Sequence, residues 1–290
     1  MKQIFSKILD RLVDRMIAKE GADWGHDFIR RMAHRNHFGL LQLAYNEMGI
    51  LNYRSYEESG ELFLVREVLR NKMGIGEGSI VFDVGANVGN YSQMLRNVLA
   101  GAEIYAFEPN WHAFSKLEAT HGKALSCFNL GFGAEASKGV IYTYENGLDS
   151  SHASSYPGVF ADYHRTSAVC ELKFDMTTID SFCRDHDISS IDFLKVDTEG
   201  NELNVMAGAQ KMLAAERIRA IQFEFGECNV FSRVFLRDFY EYLDGYNLYR
   251  LCRSRLIDMS HYSVANEIFR YQNIFAVLKG DEVTQGTFPA

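Results

Sequence analysis

The chain has 290 residues, of which 47% are hydrophobic and 23% charged, with a formal charge of −8 and only three prolines. That composition excludes disorder, a collagen-like repeat and a stiff Pro-rich linker, and it leaves ample material for a sizeable core. The acidic balance offers no basic footprint for nucleic acid as the main partner. Five cysteines without a C-x-x-C pair (Cys127, Cys170, Cys183, Cys228, Cys252) fit a reducing, cytoplasmic interior better than a disulfide scaffold or a zinc ribbon.

Residues 1–20 carry Ile4, Phe5, Ile8, Leu9, Leu12, Val13, Met16 and Ile17 at helical spacing, with Lys2, Lys7, Arg11, Arg15 and Lys19 at other positions. The pattern predicts an amphipathic helix that docks on the main domain or a second subunit, or lies on an anionic membrane surface or a partner protein. It lacks the unbroken apolar stretch of a signal peptide, and no run of about 18 apolar residues occurs anywhere. Residues 25–70 also read as helical, broken near Gly49 and Gly60. We therefore divide the chain into an N-terminal helical extension (1–60), a main domain (61–280) and a C-terminal tail (281–290). Residues 1–35 hold eight basic and five acidic side chains against 22 and 33 in the rest, so the acidity belongs to the main domain.

From residue 79 short apolar runs alternate with helical stretches. The runs are 79–86, 103–109, 125–132, 191–197, 218–225, 246–251 and 273–279, and helices are expected at 88–99, 110–121, 201–214 and 232–243. This cadence predicts an α/β fold with a doubly wound sheet, its strands buried on both faces and so nearly continuously apolar. A further strand pair, 140–146 and 169–174, flanks a Ser-rich stretch at 147–168. That stretch is long for an idle connection and reads as a lid or substrate loop.

The most informative segment runs from Val81 to Asn90, where an apolar strand ends in Asp83 and a glycine turn, Gly85-Ala86-Asn87-Val88-Gly89-Asn90, opens a helix. Gly85 permits the tight turn, and Gly89 lets the helix start pack closely. A dinucleotide fingerprint would place glycine where Asn87 stands, and Asp83 would repel a phosphate. Glu108, before Pro109, ends the next strand, where a carboxylate can accept from both hydroxyls of a ribose. A nucleoside with a cationic amino-acid tail satisfies both features, and that describes S-adenosyl-L-methionine. The expected cofactor-binding residues are Asp83, Gly85, Ala86, Asn87, Gly89, Asn90, Glu108 and Pro109.

The segments FDVGANVGNYS, AFEPN, FLKVDTEGNELNVMAGA and QFEFGECNVFSRVFLRDFYEYLDGYNLYRL resemble the FkbM-type S-adenosylmethionine-dependent methyltransferases over about residues 60–280. The resemblance implies a class I methyltransferase (Rossmann-like) fold, a seven-stranded mixed sheet whose last strand is antiparallel with helices on both faces, and an O-methyl transfer. It leaves the acceptor open among sugars, macrocycles and other hydroxylated small molecules.

Lys195-Val196-Asp197-Thr198-Glu199-Gly200-Asn201-Glu202 ends one strand and opens the next helix, beside the glycine loop if the strand order reverses there. Transfer to an alcohol requires alignment and a proton acceptor, and Asp197 or Glu199 could be that base. Glu199 and Glu202 could equally be first-turn carboxylates facing a helix dipole. Glu224 is a third acidic strand tip; the three could together hold a divalent metal, though the resemblance implies none. Asn229 and Arg233 match the family pattern and are expected to face substrate, Arg233 having a surface ion pair as its plainer role. His152 and His164 lie in the expected lid. Two other readings compete: a non-catalytic cofactor-binding scaffold that recruits a glycan or metabolite assembly through residues 1–20, and a nicotinamide oxidoreductase, which Asn87 and the missing third glycine disfavour. Oligomeric state is open.

Overall fold

The structure, a computed structural model, describes residues 22–36, 39–144, 154–159 and 169–281, together with single positions 15, 18, 19 and 283. The chain divides into two compact units, residues 1–47 and 48–290. The first contains helices Ala22–Asn36 and Leu40–Glu47. Apart from Arg15, Ala18 and Lys19, which are helical, the amphipathic segment 1–20 lies outside the described residues. No helix among the described residues is long and apolar enough to cross a membrane.

The second unit is built on an eight-stranded sheet. Its strands are β1 (Ile80–Val84), β2 (Glu103–Phe107), β3 (Ser126–Phe128), β7 (Ile191–Val196), β8 (Ile218–Phe225), β9 (Tyr246–Leu251), β10 (Leu256–Asp258) and β11 (Gln272–Leu278). Their order is β10-β9-β11-β8-β7-β1-β2-β3. β1, β2, β3, β7 and β8 pair in parallel, and β11 runs antiparallel to both β8 and β9. This is the seven-stranded class I methyltransferase sheet with its last strand reversed, extended at the edge by the short β10, which pairs antiparallel with β9. The chain leaves β1 toward β3 and returns on the other side at β7, so the strand order reverses between β1 and β7.

The reason for the continuous apolar runs is visible in the core. Phe82, Val84, Leu194, Val196, Ile221 and Phe223 pack in one cluster with Ile179, Phe182, Val205 and Phe239 from helices on that face. The alternate residues Val81, Phe193, Ala220 and Phe275 pack in another, with Leu64, Val68, Tyr91 and Leu95 from helices on the opposite face. Successive strand residues point to opposite faces, and both faces are covered.

Several expected elements change form. The run 125–132 is not one strand: β3 ends at Phe128, and β4 (Gly131–Phe132) joins a separate three-stranded sheet. Between them the Asn129 amide donates to the carbonyls of Glu108 (2.8 Å) and Pro109 (3.1 Å), tying the turn to the tip of β2. The extra strand pair lengthens to β5 (Ser137–Tyr144) and β6 (Val169–Thr177), which pair antiparallel, with β4 parallel to β6. The helix expected at 201–214 breaks into Glu202–Ala207 and Gln210–Ala214 at Gly208, where a Cβ would lie 2.1 Å from the Gly133 carbonyl oxygen. The one expected at 232–243 becomes Cys228–Ser232 and Leu236–Tyr242, separated at Arg233 with φ +59°. Helix Ile179–Asp185, capped by the Thr178 side chain, was not expected.

Candidate active site

The loops that follow β1, β2 and β7 meet at one end of the sheet. The Phe107 carbonyl accepts the N–H groups of Gly85 and Ala86, both at 2.9 Å, so the turn after β1 is strapped to the end of β2. Gly85 has φ +88°, and a Cβ there would stand 1.8 Å from the Asp197 carbonyl oxygen; no other residue fits this contact between the β1 and β7 loops. Asn87, at φ +49°, donates its N–H to Glu108 Oε2 (2.8 Å), and Asn110 donates to Oε1 (2.7 Å). Both carboxylate oxygens of Glu108 are thereby oriented by backbone. Burial pushes this carboxyl up to about 7, against the lowering effect of the two N–H groups.

Asp83 is fully buried beneath the turn. Its Oδ2 accepts from Ser92 Oγ at 2.5 Å, while Oδ1 has no hydrogen-bond partner. Burial raises its carboxyl and Lys195 opposes the rise. The sequence placed Asp83 on the cofactor; the structure places it under the loop, outside both cavities described next.

A cavity of about 170 Å³ is lined by Gly85, Asn87, Glu108, Pro109, Phe132, Asp197, Glu199 and Glu224, among others. A second, of about 570 Å³, is lined by Tyr53, Arg54, Tyr56, Glu61, Ala86, Asn90, Lys195 and Tyr271, with Gly85, Asn87, Asp197 and Glu224 common to both. The three acidic residues singled out in the sequence therefore converge, and two of them stand on the wall that the cavities share.

Each of the three is held differently. Lys195, 5% exposed at its side chain, donates to Asp197 Oδ2 at 2.8 Å and lies 4.6 Å from the centre of the Tyr91 ring. Burial alone would lower the Lys195 ammonium, but Asp197, Asp83 and Glu61 raise it above its ordinary value, so it stays charged. Glu199 has φ +52°, accepts from Cys228 Sγ at 3.2 Å, and is pushed up to about 8 by burial and the neighbouring Asp197. Glu224 is raised well above its ordinary value by burial, with Asp197 and Glu199 adding to it.

Glu202 has a different task. It is 1% exposed, and its carboxylate accepts from the N–H groups of Thr198 (2.8 Å) and Gly200 (3.1 Å) and from the Thr198 hydroxyl (3.1 Å). It opens helix Glu202–Ala207 and braces the loop that presents Asp197 and Glu199. Glu199 itself precedes this helix and is not one of its first-turn residues. Ser154 Oγ donates to the Glu199 carbonyl at 2.8 Å, and Ser154 bridges to Tyr142 on β5, so the segment 154–159 connects the second sheet to this loop.

The sequence reading missed a buried polar chain behind the site. Glu61 accepts from Ser59 Oγ (2.7 Å) and Gln222 Nε2 (3.0 Å); Gln222 also donates to Asn273 Oδ1 (2.9 Å) and accepts from the Tyr91 hydroxyl (2.7 Å). Asn273 in turn donates to the Tyr271 hydroxyl at 2.9 Å. Glu61 opens the short helix Glu61–Phe63, which runs directly into a π-helix, Leu64–Arg70, a form often found next to functional sites. The available signal was Lys195 and Gln222 themselves, polar residues flanked on both sides by the apolar residues of β7 and β8.

Asn229 and Arg233 do not line either cavity. Asn229 is 2% exposed and its Oδ1 accepts from Gly226 N–H (2.8 Å), bracing the loop after β8. Arg233 is exposed at the end of helix Cys228–Ser232 and forms no ion pair with a described residue. His152 and His164 lie outside the described residues. Among the described residues, no group of three or more His, Cys, Asp or Glu could hold a metal ion.

A sheet of this order, with a glycine turn after β1, a backbone-oriented carboxylate at the tip of β2 and an acidic loop after β7, defines a class I methyltransferase. The residues fit S-adenosylmethionine: the turn leaves no room for a Cβ at Gly85, Glu108 lines a cavity with both carboxylate oxygens held where they would accept from ribose hydroxyls, and the surrounding carboxylates complement a cation. The profile of the methyltransferase FkbM domain matches residues 83–251, more than half of the chain. The chain belongs to the FkbM methyltransferase family, whose members depend on S-adenosylmethionine.

Among characterised proteins, the chain is 23% identical over 175 residues to the hexuronic acid methyltransferase AglP of Haloferax volcanii. That match covers 60% of this chain and 66% of the relative's length. Among solved structures it is similar to a methyltransferase FkbM from Methylobacillus flagellatus KT, with a TM-score of 0.41, 13% identity, and coverage of 88% of this chain and 60% of that one. It is also similar to the precorrin-6y C5,15-methyltransferase of Geobacter metallireducens GS-15, with a TM-score of 0.38, 13% identity and coverage of 73% and 86%.

Proposed function

We propose that this protein transfers a methyl group from S-adenosylmethionine to a hydroxyl oxygen of a sugar or other hydroxylated small molecule. The observation that carries this reading is the convergence of Asp197, Glu199 and Glu224 on a cavity that also holds the oriented Glu108. A ring of carboxylates repels an anionic acceptor atom but accepts hydrogen bonds from a hydroxyl and can remove its proton. A relative named as a hexuronic acid methyltransferase supports a sugar acceptor.

When bound, S-adenosylmethionine supplies a methyl group on a positively charged sulfur that leaves as a neutral thioether. The protein's own work is alignment and proton removal. Glu108, fixed by the Asn87 and Asn110 N–H groups, receives the ribose hydroxyls. Glu199 is the general base: at about 8 its carboxyl is poised near neutral pH, where proton transfer from an alcohol is best matched. Asp197 and Glu224, on the wall common to both cavities, orient the acceptor hydroxyl, and Lys195 fixes Asp197.

Thermal unfolding with S-adenosylmethionine and S-adenosylhomocysteine tests the first half: ligand at 100 times its dissociation constant stabilises by about 2.7 kcal/mol. A screen of hydroxylated acceptors with labelled methyl donor tests the second. Product carrying the label as a methyl ether is expected; label found only on nitrogen, carbon or a carboxylate ends the reading.

A further inference from the structure

The larger cavity has a wall that methyl transfer to a bare hydroxyl does not require. Tyr53 and Tyr271 meet edge to face with ring centres 5.9 Å apart, and Tyr56 meets Tyr91 likewise at 5.7 Å. All four rings line the same cavity as Arg54, with Tyr91 buried at its base. Tyr53 is 66% exposed and Arg54 is exposed beside it, so both stand at the open rim, whereas Asp197 and Glu224 form the inner wall. Arg54 makes no ion pair with any described residue. The other charged residue on the rim, Glu57, is held below its ordinary value by its own backbone N–H and the Ser55 side chain, with Arg253 and Arg66 contributing.

Resting on the function proposed above, we infer that this wall is the acceptor subsite and that Arg54 receives a carboxylate on the acceptor, making a uronic-acid-type sugar the preferred substrate class. Tyrosine rings offer an apolar face to the C–H face of a sugar ring and a hydroxyl to its edge. The guanidinium fork matches a planar carboxylate with two parallel hydrogen bonds. Charge also sets the direction of entry: Asp197 and Glu224 on the inner wall turn the acid group outward to Arg54 and leave a hydroxyl facing the wall, where the smaller cavity with Glu199 adjoins.

The test is calorimetric titration of the S-adenosylhomocysteine-loaded protein with methyl glucuronide and with methyl glucoside, which differ at the acid group. The glucuronide is expected to bind at least tenfold more tightly. Arg54→Gln should remove that preference while leaving glucoside and S-adenosylhomocysteine affinities within twofold, and Arg54→Lys should keep part of it. Tyr271→Ala should weaken both sugars at least fivefold. Equal affinity for the two sugars, no glucuronide binding at any accessible concentration, a preference that survives Arg54→Gln, or tighter binding of glucose 6-phosphate overturns the assignment. Methylation of the glucoside with no preference for the acid sugar removes this inference and leaves the hydroxyl methyltransferase standing. Preference for the glucuronide without methylation of any hydroxyl does the reverse.

Discussion

The two sides of the carboxylate wall are made in opposite ways. On the side assigned to the cofactor, the turn after β1 and the tip of β2 are fixed by main chain: the Gly85, Ala86 and Asn87 N–H groups hold the loop to Phe107 and Glu108 across 21 or 22 residues, and the Asn110 N–H reaches back two residues to Glu108. On the side assigned to the acceptor, Lys195, Asp197, Gln222, Glu61, Tyr91 and Asn273 are fixed by one another's side chains across separations of up to 161 residues. On the function proposed here, backbone would grip a ligand common to a whole family, and side chains would leave room to recognise a particular one. The first arrangement survives most substitutions of side chain but tolerates no added Cβ; the second inverts that sensitivity.

The largest effect separating the two sides is expected at Glu199. Glu199→Gln should lower kcat at least a hundredfold while the dissociation constant for S-adenosylhomocysteine stays within threefold, measured by labelled-methyl transfer and calorimetry. Because Glu199 is raised to about 8, wild-type kcat should rise with pH as the carboxyl loses its proton and level off above that value; the variant's profile should lose this limb. Unchanged turnover would move the base elsewhere on the wall.

Next in size is Gly85→Ala. A Cβ 1.8 Å from the Asp197 carbonyl, at a φ of +88°, cannot be accommodated without separating the β1 and β7 loops. We expect a loss of about 3 kcal/mol or more, a fall in Tm of about 6–12 °C, and no stabilisation by either form of the cofactor. A variant that melts normally and still binds would show that the turn is softer than its hydrogen bonds imply. Tyr91→Phe probes the other side and should cost about 1–3 kcal/mol by leaving Gln222 Oε1 without its donor, visible in urea unfolding, with S-adenosylhomocysteine affinity unaltered. The smallest effect belongs to Arg233→Ala. An exposed residue outside both cavities should leave kcat/KM within twofold, although its place in the sequence pattern marks it as functional.

What could be read from the sequence follows the same division. The strand-turn-helix around Gly85 and the carboxylate at Glu108 were legible because a local pattern of residues and a local geometry coincide there. Asp197, Glu199 and Glu224 were legible as strand tips, and the sheet order brings them together. The burial of Asp83 was not legible, since sequence shows a carboxylate beside a turn but not that Ser92 meets it under the loop. The break at Asn129 was hidden because its side chain satisfies carbonyls 20 and 21 residues earlier. Glu61 was hidden more deeply: nothing near it announces Gln222 or Lys195, and only the fold makes them neighbours.

Glu199 sits at φ +52°, a backbone conformation that glycine adopts freely and a glutamate resists. Selection for heat resistance alone would therefore enrich Glu199→Gly and Glu199→Asn, whereas selection for methyl transfer would reject both. A variant library scored once for heat resistance and once for methyl transfer would therefore rank the residues at this one position in opposite orders.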